Sequence, residues 1–160
     1  MAEPTDPGAQ AENNAAFLLT QLGTHAANQF AERVGELGLT PPQVGILAMI
    51  DSRPGLSQQA LAGELGLLPS KVVSFIDQFE SRGLVTRTRG TMDRRVYELR
   101  LTEDGAALLR RARAVADAHE AAFFATLDPE EHDTLRALLR RLSSEHGLAA
   151  GIHPGYRNLS

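Results

Sequence analysis

Residues 69–105 read PSKVVSFIDQFESRGLVTRTRGTMDRRVYELRLTEDG, and this stretch decides the fold. Its first half has apolar residues at helical spacing, a proline suited to the first turn, and Gly83 as the stop. The periodicity then changes, so residues 84–88 and 96–101 are predicted to be strands around a polar loop that begins at Arg89. The stretch is therefore predicted to form a helix followed by a β-hairpin with a basic tip.

The flanking sequence predicts helices on both sides of this stretch. Ser57 is placed to cap a short helix over residues 58–65, and two short helices joined by a tight glycine-containing turn form a helix-turn-helix unit. Thr40 begins a buried helix, a long amphipathic helix precedes it, and two more helices follow the hairpin. The predicted fold class is mainly α: a winged helix-turn-helix with a β-hairpin wing and helical additions at both ends.

The charge of the chain is unevenly distributed. The formal net charge is −4, but residues 66–100 carry seven basic and four acidic side chains, a local charge of +3 that leaves −7 on the remainder. A basic segment on an acidic body is typical of a surface that attracts anions, because local potential matters more than total charge. A solvated face without a partner is the alternative for such a cluster.

A helix-turn-helix followed by a basic hairpin predicts a protein that reads double-stranded DNA. A helix fits the major groove, and a basic hairpin beside it can enter the minor groove or hold phosphates. Ser70, Lys71 and Ser74 on the second helix are the base-reading candidates. Ser57 and Gln58 are placed to hold phosphate, although a plain helix cap is the alternative for Ser57. The other DNA-binding candidates are the basic hairpin residues: Arg87, Arg89, Arg94 and Arg95.

Two motifs resemble those of the MarR family (multiple-antibiotic-resistance regulators). DRR at residues 93–95, followed by LRLTEDG at residues 99–105, is similar to the family's wing and following helix start, and FIDQFE at residues 75–80 is similar to its recognition helix. The resemblance covers about residues 13–147. It implies a homodimeric, cytoplasmic bacterial regulator, associated with the nucleoid, that binds a pseudo-palindromic operator. Most members are repressors released by small ligands.

The resemblance also implies roles for the wing residues. It places Arg94 or Arg95 at the wing tip in the minor groove. Asp93 is expected to orient an arginine through a charge-assisted hydrogen bond, since a carboxylate facing phosphate would repel it.

The recognition helix departs from the family's pattern at two positions. Many members have arginine or lysine where Ser74 stands, and threonine or serine where Val73 stands. Base readout is therefore expected to depend more on Ser70 and Lys71. The alternative function is a winged-helix module that binds proteins and no longer reads a DNA sequence; only a DNA reader loses affinity steeply as salt is added.

Apolar residues on the first and last helices predict a homodimer. In an isolated chain, apolar side chains of the last helix would remain partly exposed to solvent, and the resulting patch would be larger than monomers tolerate. Pairing about a twofold axis buries this patch and sets two recognition helices about 34 Å apart, one turn of DNA. Packing within one chain is the alternative. The candidate interface residues are Phe17, Leu18, Leu135, Leu138, Leu139 and Leu142.

The length of 160 residues fits a single domain with added helices. We divide the chain into five segments. They are a flexible tail at residues 1–12, an N-terminal dimerisation helix at 13–38, the DNA-binding winged helix-turn-helix core at 39–101, C-terminal dimerisation helices at 102–147, and an irregular tail at 148–160.

Two histidines lie among apolar residues, His25 and His119. They either pack in the core or interface, or line an effector pocket between the dimer helices and the DNA-binding core. There, imidazolium would pair with a small aromatic or phenolic acid. The spacing of the histidines does not match a metal site, and the sequence contains no recognisable catalytic motif. We therefore expect no metal, no cofactor and no enzymatic activity.

Composition excludes several other classes of protein. Cysteine is absent, which excludes disulfides and thiolate sites. The first ten residues do not resemble a secretory signal, and the longest apolar stretch, residues 44–50, is far shorter than the roughly 18 residues of a membrane span. We expect a soluble cytoplasmic protein without a membrane partner.

Overall fold

The computed structural model describes residues 14–90, 96–153, 155 and 156. The fold is mainly helical, and its element order confirms the predicted fold class, a winged helix-turn-helix with helical additions at both ends. In chain order the elements are α1 (Ala15–Gly35), α2 (Pro41–Ser52), β1 (Leu56–Ser57), α3 (Gln58–Leu65), α4 (Pro69–Ser81), β2 (Val85–Arg89), β3 (Tyr97–Leu101), α5 (Glu103–Phe123) and α6 (Pro129–Glu145).

Local signals set the ends of the two short helices. The Ser57 hydroxyl accepts a hydrogen bond from the Ala60 N–H at 3.0 Å and so caps α3. Gly66 ends α3 with φ of 65°, a left-handed conformation that glycine adopts without strain. Pro69 opens α4, and Gly83 with φ of 69° turns the chain into the hairpin. The local sequence therefore determines where both helices of the helix-turn-helix begin and end.

The core lies under α4 and holds it in place. The inward side of α4 is fully buried and packs against α3 and β2, while its opposite side is exposed. Burial of this many large apolar side chains makes the position of α4 rigid relative to the sheet. The largest fully buried residues of this core are Ile46, Leu47, Ile50, Leu61, Val72, Ile76, Phe79, Leu99 and Leu109.

The sheet has three antiparallel strands in the order β1-β3-β2. The sequence did not predict β1, which has two residues and pairs Leu56 with Leu99. Strand β2 continues to Arg89, so the loop begins one residue later than predicted. Arg89 pairs with Tyr97, and the Gly90 N–H donates to the Val96 carbonyl at 2.8 Å. Gly90 and Val96, which flank positions 91–95 in the sequence, therefore meet at the end of the hairpin.

Thr102 and Gly105 join the hairpin to α5. The Thr102 hydroxyl donates to the Gly83 carbonyl at 2.6 Å and accepts from the Gly105 N–H at 3.0 Å. A Cβ at Gly105 would overlap the Leu84 carbonyl. The start of α5 therefore packs closely against the turn that precedes the wing. This packing explains why threonine and glycine stand at these positions of the LTEDG sequence.

Helix α5 packs against α1, α2 and β3, whereas α6 extends from this body. His132 on α6 bonds to Glu120 of α5 at 3.1 Å, and its ring lies 5.0 Å from that of Phe124. No residue of α6 is buried. The large apolar residues of α1 and α6 that remain exposed are Phe17 (50%), Leu18 (40%), Leu19 (52%), Leu22 (52%), Leu138 (44%) and Leu142 (46%).

The C-terminal segment is anchored to the core, which the sequence did not predict. Its described residues form turns after Gly147, consistent with an irregular path. However, Tyr156 is buried, and its hydroxyl donates to the Pro42 carbonyl at 2.9 Å. Gly45 of α2 leaves the space for this ring, since a Cβ there would overlap the tyrosine hydroxyl. The segment therefore ties the end of the chain to the start of α2.

This anchor predicts a pH dependence of stability. Burial raises the pKa of Tyr156 to about 12. This pKa is above the unfolded value of about 10, so the protonated tyrosine stabilises the fold fully below about pH 10. This stabilisation is lost as the pH rises through about 12. Between about pH 9 and pH 12, we expect the free energy of unfolding to fall by about 1–2 kcal/mol more in wild type than in Tyr156→Phe. Urea denaturation measures this difference, and equal losses in both proteins would show that the anchor does not form.

Candidate nucleic-acid interface

The exposed side of α4 presents a continuous polar face. Ser70, Val73, Ser74 and Asp77 follow the spacing i, i+3, i+4, i+7, so they share one side of the helix, and all four are exposed. Lys71 is also exposed beside them. The three residues predicted to read bases, Ser70, Lys71 and Ser74, therefore lie together on the accessible surface of the helix.

A chain of hydrogen bonds connects this face to the interior. Gln78 donates to the Ser74 hydroxyl at 3.4 Å, and Gln43 of α2 donates to the Gln78 side-chain carbonyl at 3.3 Å. Gln43 is buried and also accepts from the Thr40 N–H at 2.9 Å, as in a capping box. The sequence did not indicate the role of Gln78, because this contact spans thirty-five residues.

Ser57 and Gln58 lie at the start of α3. Both are half-buried. Ser57 is the helix cap, and its hydroxyl proton remains available to donate because the cap bond uses the oxygen as acceptor. The cap and the phosphate contact are therefore compatible at this residue.

Arg87, one of the DNA-binding candidates, is paired with two carboxylates of α4. Its guanidinium binds Asp77 at 2.6 Å and Glu80 at 2.7 Å, and its backbone N–H donates to Glu80 at 3.2 Å. Its side chain is 25% exposed. Hydrogen bonding to Glu80, followed by that to Asp77, raises the pKa of Arg87. Its donors are thus directed at α4 instead of at solvent, and Arg87 joins the wing to the helix.

The other wing candidates flank or lie within the connection. Arg89 is exposed, and its guanidinium lies 5.6 Å from the centre of the Tyr97 ring, within cation–π range. Asp93, Arg94 and Arg95 lie outside the described residues. The geometry of the hairpin ends is therefore defined, and the roles of these three residues remain predictions.

Comparison with known proteins identifies the family. The sequence profile of the MarR family matches residues 39–97. A protein of Thauera aromatica, assigned to regulation of the hcr operon, is 37% identical over 130 residues, which cover 76% of this chain and 78% of that protein. The chain belongs to the MarR family. The prediction of a MarR-type DNA-binding transcriptional regulator is confirmed.

Solved MarR-type structures have the same fold. The transcriptional repressor CouR bound to a 23-mer DNA duplex is 32% identical, with a TM-score of 0.74, and covers 88% of this chain and 99% of its own. CouR from Rhodococcus jostii bound to p-coumaroyl-CoA is 28% identical, with a TM-score of 0.68, and covers 83% and 94% respectively.

The two histidines of this MarR protein that were predicted to line an effector pocket are brought together. His25 of α1 and His119 of α5 both lie near Phe123, with ring centres 6.3 Å and 5.8 Å from it. Phe30 of α1 lies 5.7 Å from His119. The Nδ1 atom of His119 is buried without a hydrogen-bond partner, and such an atom carries a cost unless a ligand or water satisfies it.

Neither a metal-binding cluster nor a membrane-spanning helix occurs in the part of the chain that the structure describes. Across residues 14–90, 96–153, 155 and 156, no three carboxylate or imidazole side chains are grouped to hold a metal ion. Over the same part of the chain, no helix combines the length and apolar character needed to cross a membrane.

Proposed function

We propose that this MarR protein is a homodimeric repressor that binds a pseudo-palindromic operator and is released by an aromatic effector. The observation that carries the proposal is the exposed polar face of α4, fixed beside the hairpin by Arg87. A helix held in this way presents its first turns to base edges of the major groove, and the wing reaches the flanking minor groove. The protein acts by binding, without catalysis, at DNA in the bacterial cytoplasm.

The proposed contacts divide into two classes. Ser70, Lys71 and Ser74 meet base edges, because they occupy the first turns of α4. Residues that flank the helix contact phosphates. These phosphate contacts fix the position of the helix on the duplex but do not discriminate between base sequences. The phosphate-binding residues are Ser57, Gln58, Arg89, and Arg94 or Arg95.

The proposed dimer uses the first and last helices. Six large apolar side chains of α1 and α6 are between 40% and 52% exposed in a single chain. Half-buried Leu135 and Leu139 lie on the same side of α6 as Leu138 and Leu142. Burial of these faces against a second copy removes apolar area from water and places two α4 helices on one side of the assembly.

Selection from a random duplex pool tests this function directly. We expect enrichment of an inverted repeat with half-sites about 10 base pairs apart, one turn of the helix. Binding to the enriched duplex is expected to weaken steeply as salt rises, since each neutralised phosphate releases counterions. A pool without enrichment, or binding that does not depend on salt, would instead support the protein-interaction module.

The contribution of the wing to DNA binding can be tested separately. Replacement of Arg94 and Arg95 together by alanine is expected to weaken binding and to lower the slope of log K against log salt by about one or two units. Arg136→Ala with Arg140→Ala removes the same charge from exposed positions of α6 and serves as the control. A salt slope equal to that of wild type would remove both wing arginines from the interface.

The effector hypothesis rests on the cluster around Phe123. Phe30, Phe123 and the two histidine rings form aromatic surroundings, and the unpartnered His119 Nδ1 provides a polar group within them. Such a combination suits an aromatic ligand with an acidic or carbonyl group. The CouR structure with p-coumaroyl-CoA supports the same chemical class for this chain.

Titration with p-coumarate and p-coumaroyl-CoA tests this hypothesis. At least one of the two is expected to weaken operator binding by about 5- to 150-fold, the usual range of allosteric coupling. His119→Phe keeps an aromatic ring but removes both nitrogens, so it should bind the operator normally and lose the response. His146→Phe, at an exposed position, is the matched control. If neither compound changes operator affinity or thermal stability, this effector class is wrong.

A further inference from the structure

The side chain of Val73 is unusual for its position on the polar face of α4. It is 41% exposed, whereas Val72, Ile76 and Phe79 on the other side of the same helix are fully buried. Val73 is therefore not part of the core. It lies between Ser70 and Asp77 in the i, i+3, i+7 series that forms the centre of the exposed face.

Val73 is the apolar residue among the four that form this face. The Asp77 carboxylate is bound to Arg87 at 2.6 Å, so its charge is compensated. The Ser74 hydroxyl is within 3.4 Å of the Gln78 amide. A valine at this place donates and accepts no hydrogen bond, so it cannot contribute to the hydrogen-bond readout of a base.

We propose that Val73 reads the C5-methyl group of thymine in the major groove. This methyl is the apolar group by which the four base pairs differ there, and small apolar side chains on recognition helices contact it. Val73 is the fifth residue of α4, within the first two turns that reach base edges. The inference deepens the proposed function and depends on it, because it names a base that the same helix selects.

The same contact gives the protein a chemical preference at this position. The operator half-site contains a thymine opposite Val73, and deoxyuridine, which has the same hydrogen-bonding groups without the methyl, binds less well. Loss of one buried methyl weakens binding roughly fourfold. In an operator with two half-sites, both substitutions together weaken binding about 15-fold if they act independently.

The test uses duplexes from the selection in which each thymine is replaced, one position at a time, by deoxyuridine. Wild type is expected to lose roughly fourfold in affinity at one position of each half-site. Val73→Ala should bind the two duplexes equally, since the methyl has lost its partner. Alanine favours helix at this exposed position, so the variant is expected to fold. Leu68→Ala is the matched control: Leu68 is 56% exposed but precedes α4, and this variant should keep the preference for thymine.

The outcomes separate this inference from the function on which it rests. If no duplex is enriched or bound, the proposed function fails. If a duplex is bound and uridine has no effect at any position, or if Val73→Ala keeps the full preference for thymine, the protein reads DNA but Val73 does not read the methyl group.

Discussion

Replacement of Leu138 and Leu142 by glutamate is expected to convert the protein into a monomer and to reduce operator affinity by at least about 100-fold. Both leucines are nearly half exposed in the single chain, on a helix without a buried residue. Four carboxylates in the proposed twofold interface would be desolvated close to one another, which a dimer does not tolerate. Each monomer would then bind one half-site alone and lose the gain in effective concentration from the second.

Sedimentation measures the mass, and titration of the selected duplex measures the affinity. The matched control is Ala137→Glu with Ser144→Glu, which adds the same charge to the opposite, exposed side of α6 and should leave the dimer intact. A double-leucine variant that stays dimeric would place the interface elsewhere. A monomeric variant with wild-type affinity would show that dimerisation does not serve DNA binding.

Arg87→Ala is expected to lower operator affinity by about 10- to 100-fold, although its guanidinium is paired with carboxylates of α4. Arg87 binds both Asp77 and Glu80. Its removal leaves two carboxylates on the helix that approaches the phosphates, and like charges at an interface repel. It also removes the only described side-chain ion pairs between β2 and α4, so the wing is held less firmly.

A rescue variant distinguishes this positioning role from the direct contact that the sequence predicted. Arg87→Ala combined with Asp77→Asn and Glu80→Gln removes the repulsion, and most of the lost affinity should return. The salt slope should remain within about half a unit of the wild-type value. If Arg87 instead binds a phosphate, the triple variant will bind as weakly as Arg87→Ala, with a slope reduced by about one unit.

Local signals allowed the helices and the fold class to be predicted. Gly66 and Gly83 adopt positive φ at the positions where the sequence predicted helix ends, and Ser57 caps α3 as expected. Strand β1 was missed because it has only two residues, too few to show a periodicity. The apolar stripe of α6 predicted an exposed face, and among the described residues no element of the same chain fully buries it.

Contacts between distant residues were not predictable from the sequence. In the sequence, Arg87 cannot be distinguished from the other arginines of the wing. In the fold, the turn at Gly83 directs β2 back along α4 and brings Arg87 into contact with Glu80. Tyr156 meets Pro42 across a separation of 114 residues, and no local pattern predicts this pairing. In both cases the fold, and not the residue type, determines the role.

A hydroxyl-radical footprint of the selected duplex, with the stoichiometry of the complex measured by sedimentation, most directly tests the central claim that two copies of α4 bind one operator. We expect two chains per duplex and two protected regions on one side of the DNA, about 10 base pairs apart. One chain per duplex, or a single protected region, would contradict it.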